Sequence, residues 1–241
     1  MKTKGILGWL FLWGAILGTM FVVAPSAEAY IETFDSGNAA WLNFTVTDSG
    51  ALASSSSFWS SSGGNPGGHV TGTVDAGTDG TRLYGIQAPF ETDVFGDLTG
   101  KTLKVDYRID GTVTGPVGAS VRFYFGYFDG QSRYWVSNDT YSWEPNSDTS
   151  WTTHNVTLSE SNFILWPNQN KGDKTFAEVL GLYNDIGLVF ADGFEDNQTL
   201  GFSGTATIHV DNFSAVPIPG AMWLLGSSLI GLAGLRRKFQ N

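Results

Sequence analysis

The clearest order in the chain is a two-residue alternation of apolar and polar side chains. From 102 to 110, Leu103, Val105, Tyr107 and Ile109 fall on one face, and Lys104, Asp106, Arg108 and Asp110 on the other. That period describes an antiparallel strand with one face in a core and the other in solvent. Across 119–128, Ala119, Val121, Phe123, Phe125 and Tyr127 alternate with Ser120, Arg122, Tyr124, Gly126 and Phe128. Segments 152–158, 186–191 and 205–213 also read as strands, with Ile208 and Val210 facing inward. One stretch has the helical period instead: Phe176, Val179, Leu180 and Tyr183, opened by a Thr175/Glu178 capping box. Such a helix is expected to cover a sheet edge or one open end of the domain.

Asp-Gly pairs at Asp79-Gly80, Asp110-Gly111, Asp129-Gly130 and Asp192-Gly193 are expected turns. The Ser- and Gly-rich region 51–80, with its run from Gly63 to Gly68, reads as a loop. Those glycines lack the following Lys-Ser/Thr pair and helix of a phosphate-cradling loop. Together these signals predict an all-β domain, an antiparallel β-sandwich of the jelly-roll class with one short helix. Residues 30–215 are enough chain to bury a substantial core without disulfides.

Both ends break the pattern. Lys2 and Lys4 precede an apolar run from Ile6 to Val23, and Ala27-Glu28-Ala29 follows. This is the layout of a secretory signal peptide over 1–29, and the small residues favour cleavage after Ala29 over an uncleaved anchor. At the other end, Val216, Pro217, Ile218 and Pro219 precede an uncharged stretch, Ala221 to Leu235, and then Arg236, Arg237 and Lys238. The stretch has no polar face and three glycines, so it suits a transmembrane helix better than a soluble one, with the basic cluster held on the cytoplasmic side.

Composition narrows the chemistry. The chain has no cysteine, which removes thiol catalysis, cysteine zinc sites and disulfide frameworks. Segment 30–215 carries 8 basic and 22 acidic side chains, a net charge of −14. That excludes nucleic acid as a partner, because phosphate binding needs clustered Lys and Arg. The histidines, His69, His154 and His209, lie far apart in sequence and lack metalloprotease spacing. No G-x-S-x-G elbow is present. The acids alternate along strands or sit in turns, and no pair stands out as the two carboxyls of a glycosidase.

Two resemblances add to this. The tail over 216–241 resembles a PEP-CTERM sorting signal: a Pro-x-Pro motif, a transmembrane segment and a basic stop. Ile218 stands where that motif usually has Glu. The resemblance implies a Gram-negative bacterium, transient anchoring in the inner membrane, and processing by an exosortase-type enzyme. The second covers about 60–213. It runs through Gly63 to Val70, Ala88-Pro89-Phe90, Phe95-Gly96-Asp97-Leu98, the 103–107 strand, Trp151 to Leu158, Phe176 to Leu180 and Asp211-Asn212-Phe213. In order and spacing it is similar to the laminin B (laminin IV type A) domain of bacterial secreted proteins. That implies a galactose-binding-like sandwich and an extracellular or matrix role, with no catalytic residues to transfer.

Two sites are expected. Tyr134, Trp135, Tyr141 and Trp143 surround polar loop residues, and exposed aromatic rings stack on the C–H faces of sugars. Glu32 near the start and Asp211 near the end offer hard oxygen ligands for a structural calcium ion joining first and last strands. The function expected is that of an exported, non-enzymatic surface or matrix protein contacting exopolysaccharide, the glycan being neutral or bridged by divalent cations. A glycan-active enzyme and a purely structural matrix component are the alternatives.

Overall fold

A computed structural model describes residues 29–47, 52–76, 81–91, 94–114, 120–138, 141–142, 150–170, 172–191 and 203–218. The expected signal peptide up to Glu28, Pro219, and the tail with Arg236, Arg237 and Lys238 lie outside them. Among the described residues no helix is long and apolar enough to cross a membrane.

The strands in chain order are β1 (Tyr30–Glu32), β2 (Leu42–Thr47), β3 (Leu52–Ser56), β4 (Phe58–Gly64), β5 (Gly67–Ala76), β6 (Thr81–Gln87), β7 (Lys101–Thr114), β8 (Ser120–Phe128), β9 (Ser132–Ser137), β10 (Tyr141–Ser142), β11 (Thr152–Thr157), β12 (Phe163–Asn170), β13 (Asp185–Ala191) and β14 (Ser203–Pro217). Among the described residues the one α-helix, α1, is Phe176–Leu182. The strands form two antiparallel sheets. The first runs β11-β7-β14-β5-β4, with β1 also paired to β14. The second runs β12-β9-β8-β13-β6-β2-β3, with β10 beside β8. This is the expected jelly-roll-type sandwich.

The alternation does what it implies. Leu103, Val105, Tyr107 and Ile109 of β7 meet Val121, Phe123 and Phe125 of β8 in one core, joined by Ile208, Val210 and Phe213 of β14. Burial of these side chains is the main favourable term holding the sheets together. The capping box of α1 forms: the Thr175 hydroxyl accepts from the Glu178 amide, and the Glu178 carboxylate accepts from the Thr175 amide at 2.7 Å. Phe176 then packs on Phe125, Trp135 and Phe163. The helix thus closes the core against the inner face of the second sheet.

Three local expectations are corrected. The described part of the Ser- and Gly-rich 51–80 region is largely strand, β3, β4 and β5, with a turn at Asn65-Pro66. Small hydroxyl side chains suit no core, but β3 and β4 are edge strands, where ladder hydrogen bonds can override propensity. Asp110-Gly111 is not a turn but lies inside β7, opposite Thr207 and Ala206. Gly111 is needed there because a Cβ would collide with the Thr205 carbonyl. Asp106, expected in solvent, is buried. The 65–66 turn folds over it, and Asp106 accepts hydrogen bonds from Thr153 (2.5 Å) and Asn212 (2.9 Å). Asp129-Gly130 does make the β8–β9 turn, while Asp79-Gly80 and Asp192-Gly193 lie outside the described residues.

Candidate functional site

The second sheet has two faces of different character. Its inner face belongs to the main core. Its outer face carries a separate aromatic cluster: Phe44, Tyr124, Val136, Trp166 and Val189, with Val46 and Tyr134 against it. Glycines shape this face. Gly85 of β6 and Gly126 of β8 expose bare backbone, and the rings of Phe44 and Tyr134 lie directly over them. A Cβ at either glycine would run into the ring. Side chains that would otherwise stand up from the sheet instead lie along it, leaving a hollow between them.

That hollow is a groove of about 570 Å³, within the range of small-molecule and oligosaccharide sites. Its lining draws on β2, β3, β6, β8, β9, β12 and β13, so it crosses the sheet. Phe44, Tyr124, Tyr134 and Trp166 line its floor, Trp166 meeting Tyr124 edge-on at 5.6 Å. Phe90 and Phe128 stand at its rim, 47% and 48% exposed, with ring centroids 6.3 Å apart.

At the floor lies the carboxyl of Asp185, 8% exposed. The Tyr124 hydroxyl donates to its Oδ1 at 2.9 Å, and the Tyr134 hydroxyl to its Oδ2 at 3.0 Å. The Tyr124 hydroxyl also lies 3.2 Å from the Gln87 amide oxygen. Burial pushes the Asp185 pKa up to about 6, against the opposing pull of the two tyrosine hydroxyls. Burial and the adjacent carboxylate hold the Tyr124 and Tyr134 hydroxyls protonated far above neutral pH. Among the described residues no basic side chain lines the groove.

The four aromatic residues singled out in the sequence separate here. Tyr134 lines the groove. Trp135, its neighbour in β9, points to the opposite side, is 4% exposed and stacks on Phe125 at 6.1 Å. Adjacent residues of a strand face opposite ways, so the two cannot share one platform. Tyr141 belongs to β10, opposite Val121, and Trp143 lies outside the described residues. Sequence reading missed Tyr124, Trp166, Phe90, Phe128 and Asp185. A signal was present: Gly85, Gly126 and Gly187 inside strands mark places where something approaches the backbone closely.

Glu32 and Asp211 lie on paired strands, β1 and β14, with Glu32 opposite Phe213, two residues beyond Asp211. Their oxygens are engaged locally. Glu32 accepts from the Phe34 amide at 2.9 Å, and Asp211 accepts from the amides of Asn65 (2.5 Å) and Asn212 (2.7 Å). Burial pushes the Asp211 pKa up to about 6. Val216 and Pro217 of the Pro-x-Pro motif extend β14 against Thr102 and Lys101, and the Ile218 amide donates to Gly100.

Two of the three histidines are neighbours in space. His69 Nε2 and His209 Nδ1 are 3.0 Å apart on the outer face of the first sheet. His209 Nε2 lies 2.9 Å from Asp110, which Arg108 also contacts at 3.1 Å. Burial, and then Arg108, push the His209 pKa down to about 4. His154 is in the core, stacked on Phe123. Among the described residues no group of three or more His, Asp or Glu side chains is placed to hold a metal ion.

No known family's sequence model matches the chain, and no curated protein does. Several solved structures are similar to it at low identity. A family 11 carbohydrate-binding module from Clostridium thermocellum, solved with a β-1,3-1,4-mixed-linked tetrasaccharide, is 18% identical with a TM-score of 0.44, covering 78% of this chain and 95% of that one. The L4b domain of human laminin alpha-2 is 10% identical with a TM-score of 0.46, covering 80% and 100%. A family 28 carbohydrate-binding module specific for non-crystalline cellulose is 11% identical with a TM-score of 0.47, covering 80% and 98%.

Proposed function

We propose that this protein is an exported, non-catalytic surface or matrix protein that binds extracellular polysaccharide in the groove on its second sheet. The observation that carries the reading is the groove itself: an open, aromatic-lined hollow across a rigid sheet, with a few fixed polar groups at its floor. Sugar rings present apolar faces to aromatic side chains and hydroxyls to polar ones, and the groove offers both. Glycoside hydrolysis generally uses two carboxyl groups across the scissile bond. Among the described residues the groove lining supplies one, Asp185, which supports binding over hydrolysis.

The exported location belongs to the same proposal. It rests on the signal-peptide layout of 1–29 and the sorting-signal layout of 216–241, with an exosortase-type enzyme as processing partner. A calcium ion at Glu32 and Asp211 is a separate proposal, supported by the pairing of β1 with β14. A chelator should lower the melting temperature of the purified protein; an unchanged temperature removes calcium from the account.

The groove is tested by calorimetric titration of the full-length protein with a panel of soluble polysaccharides. Phe128→Ala should weaken binding about fivefold, the loss of roughly 1 kcal/mol of ring stacking, with an unchanged melting temperature. No binding by the wild-type protein, or equal binding by the variant, sinks the groove as the site.

A further inference from the structure

Asp185 poses a problem that glycan binding alone does not answer. It is a buried carboxyl at the floor of an open site, and no Lys, Arg or His nitrogen among the described residues forms an ion pair with it. A buried carboxylate is costly unless a charge or several hydrogen bonds compensate it. The two tyrosine hydroxyls fix its orientation and use one acceptor direction on each oxygen, but they bring no charge. An ionised carboxylate has about four acceptor positions, so two remain.

The surroundings suit one kind of compensation. Rings of Phe44, Tyr124, Tyr134, Phe128 and Trp166 border the same space. Aromatic faces attract cations, more so where water is excluded. Among the described residues the rest of the lining carries no positive charge to compete. Beyond the site, segment 30–215 carries a net charge of −14, a field that draws cations toward the protein and repels anions. Neutral sugar hydroxyls would satisfy the free lone pairs and leave the charge unmatched. A protonated amine matches both.

We infer that the groove selects an amino-sugar glycan, its free primary ammonium seated on Asp185 between Tyr124 and Tyr134 and its rings lying against Phe128 and Phe90. The inference rests on the glycan-binding reading of the groove and deepens it. An N-acetylated sugar, whose amine is capped and uncharged, fits the rings but not the carboxylate. Uronate and sulfated glycans are excluded by charge.

The test is calorimetric titration of the full-length protein near neutral pH. Its ligands are a fully deacetylated glucosamine hexamer, its N-acetylated counterpart, a neutral glucose hexamer and spermidine. The deacetylated hexamer should bind about tenfold tighter than the N-acetylated one, as expected for a charge-assisted hydrogen bond. Added salt should shrink that preference, and Asp185→Asn should abolish it. Tyr134→Phe, which leaves the carboxyl in place and removes one hydroxyl that orients it, should reduce it.

Equal or tighter binding of the neutral hexamers overturns the amino-sugar assignment while leaving glycan binding intact. A preference that survives in Asp185→Asn also overturns it. Spermidine binding as tightly as the hexamer overturns the sugar and not the charge. Binding of none of the four sinks the groove reading along with the inference.

Discussion

At the scale of single residues, the groove depends on side chains held in uncomfortable company. Asp185 is the sharpest case. Its folded pKa, about 6, lies above the ordinary 3.8, so the folded protein favours the protonated form. The associated stability is fully present below the unfolded value and is lost as pH rises through about 6. Two pH units correspond to about 3 kcal/mol at most. Asp185→Asn should therefore gain stability relative to wild type as pH rises from 4 to 8, read as the difference in urea midpoint at each pH. A constant difference contradicts a buried, unneutralised carboxylate. The comparison must be made at each pH, because His154 and His209 act oppositely. Their folded values are pushed down to about 3 and about 4. Their contribution is present above 6.5 and lost on acidification. Of the groove's residues only Tyr134 was legible in the sequence, as one of a run of aromatics. Trp135 looks identical in that run, and only the parity of β9 separates the residue that lines the groove from the one that fills the core.

At the scale of elements, legibility followed periodicity. β7, β8 and β14 alternate strongly and were readable. α1 was readable from its spacing and its cap. The edge strands β3 and β4 were not, because serines carry little pattern and the strands exist by pairing to β2 and β5. The groove was not readable as a unit either, since its lining comes from seven strands whose order in the sheet is not their order in the chain. The glycines beneath the aromatic rings make the element-scale prediction. Gly126→Ala must push the Tyr134 ring off the sheet. Overpacking of this kind costs about 1–3 kcal/mol, and moving Tyr134 breaks its hydrogen bond to Asp185. The variant should lose glycan affinity as well as stability, whereas Phe128→Ala should lose affinity alone. If Gly126→Ala binds normally, the ring over the glycine does not shape the site.

At the scale of the whole molecule, the two sheets divide the work. The second sheet carries the groove on its outer face, and the first sheet receives both β1 and the final strand, β14. That second role has a mechanical consequence. β14 runs for 15 residues through the middle of its sheet, flanked by β7 along one side and by β5 and then β1 along the other. Tension applied at Pro217 and directed along β14 would load many ladder bonds on both flanks at once, in shear. It would not peel them open one after another from an edge. A protein that grips a polymer with one sheet while held near the end of β14 would pass the pull through its best-secured strand. The same sheet order that buries the core would spread a force entering at that strand over both of its neighbours.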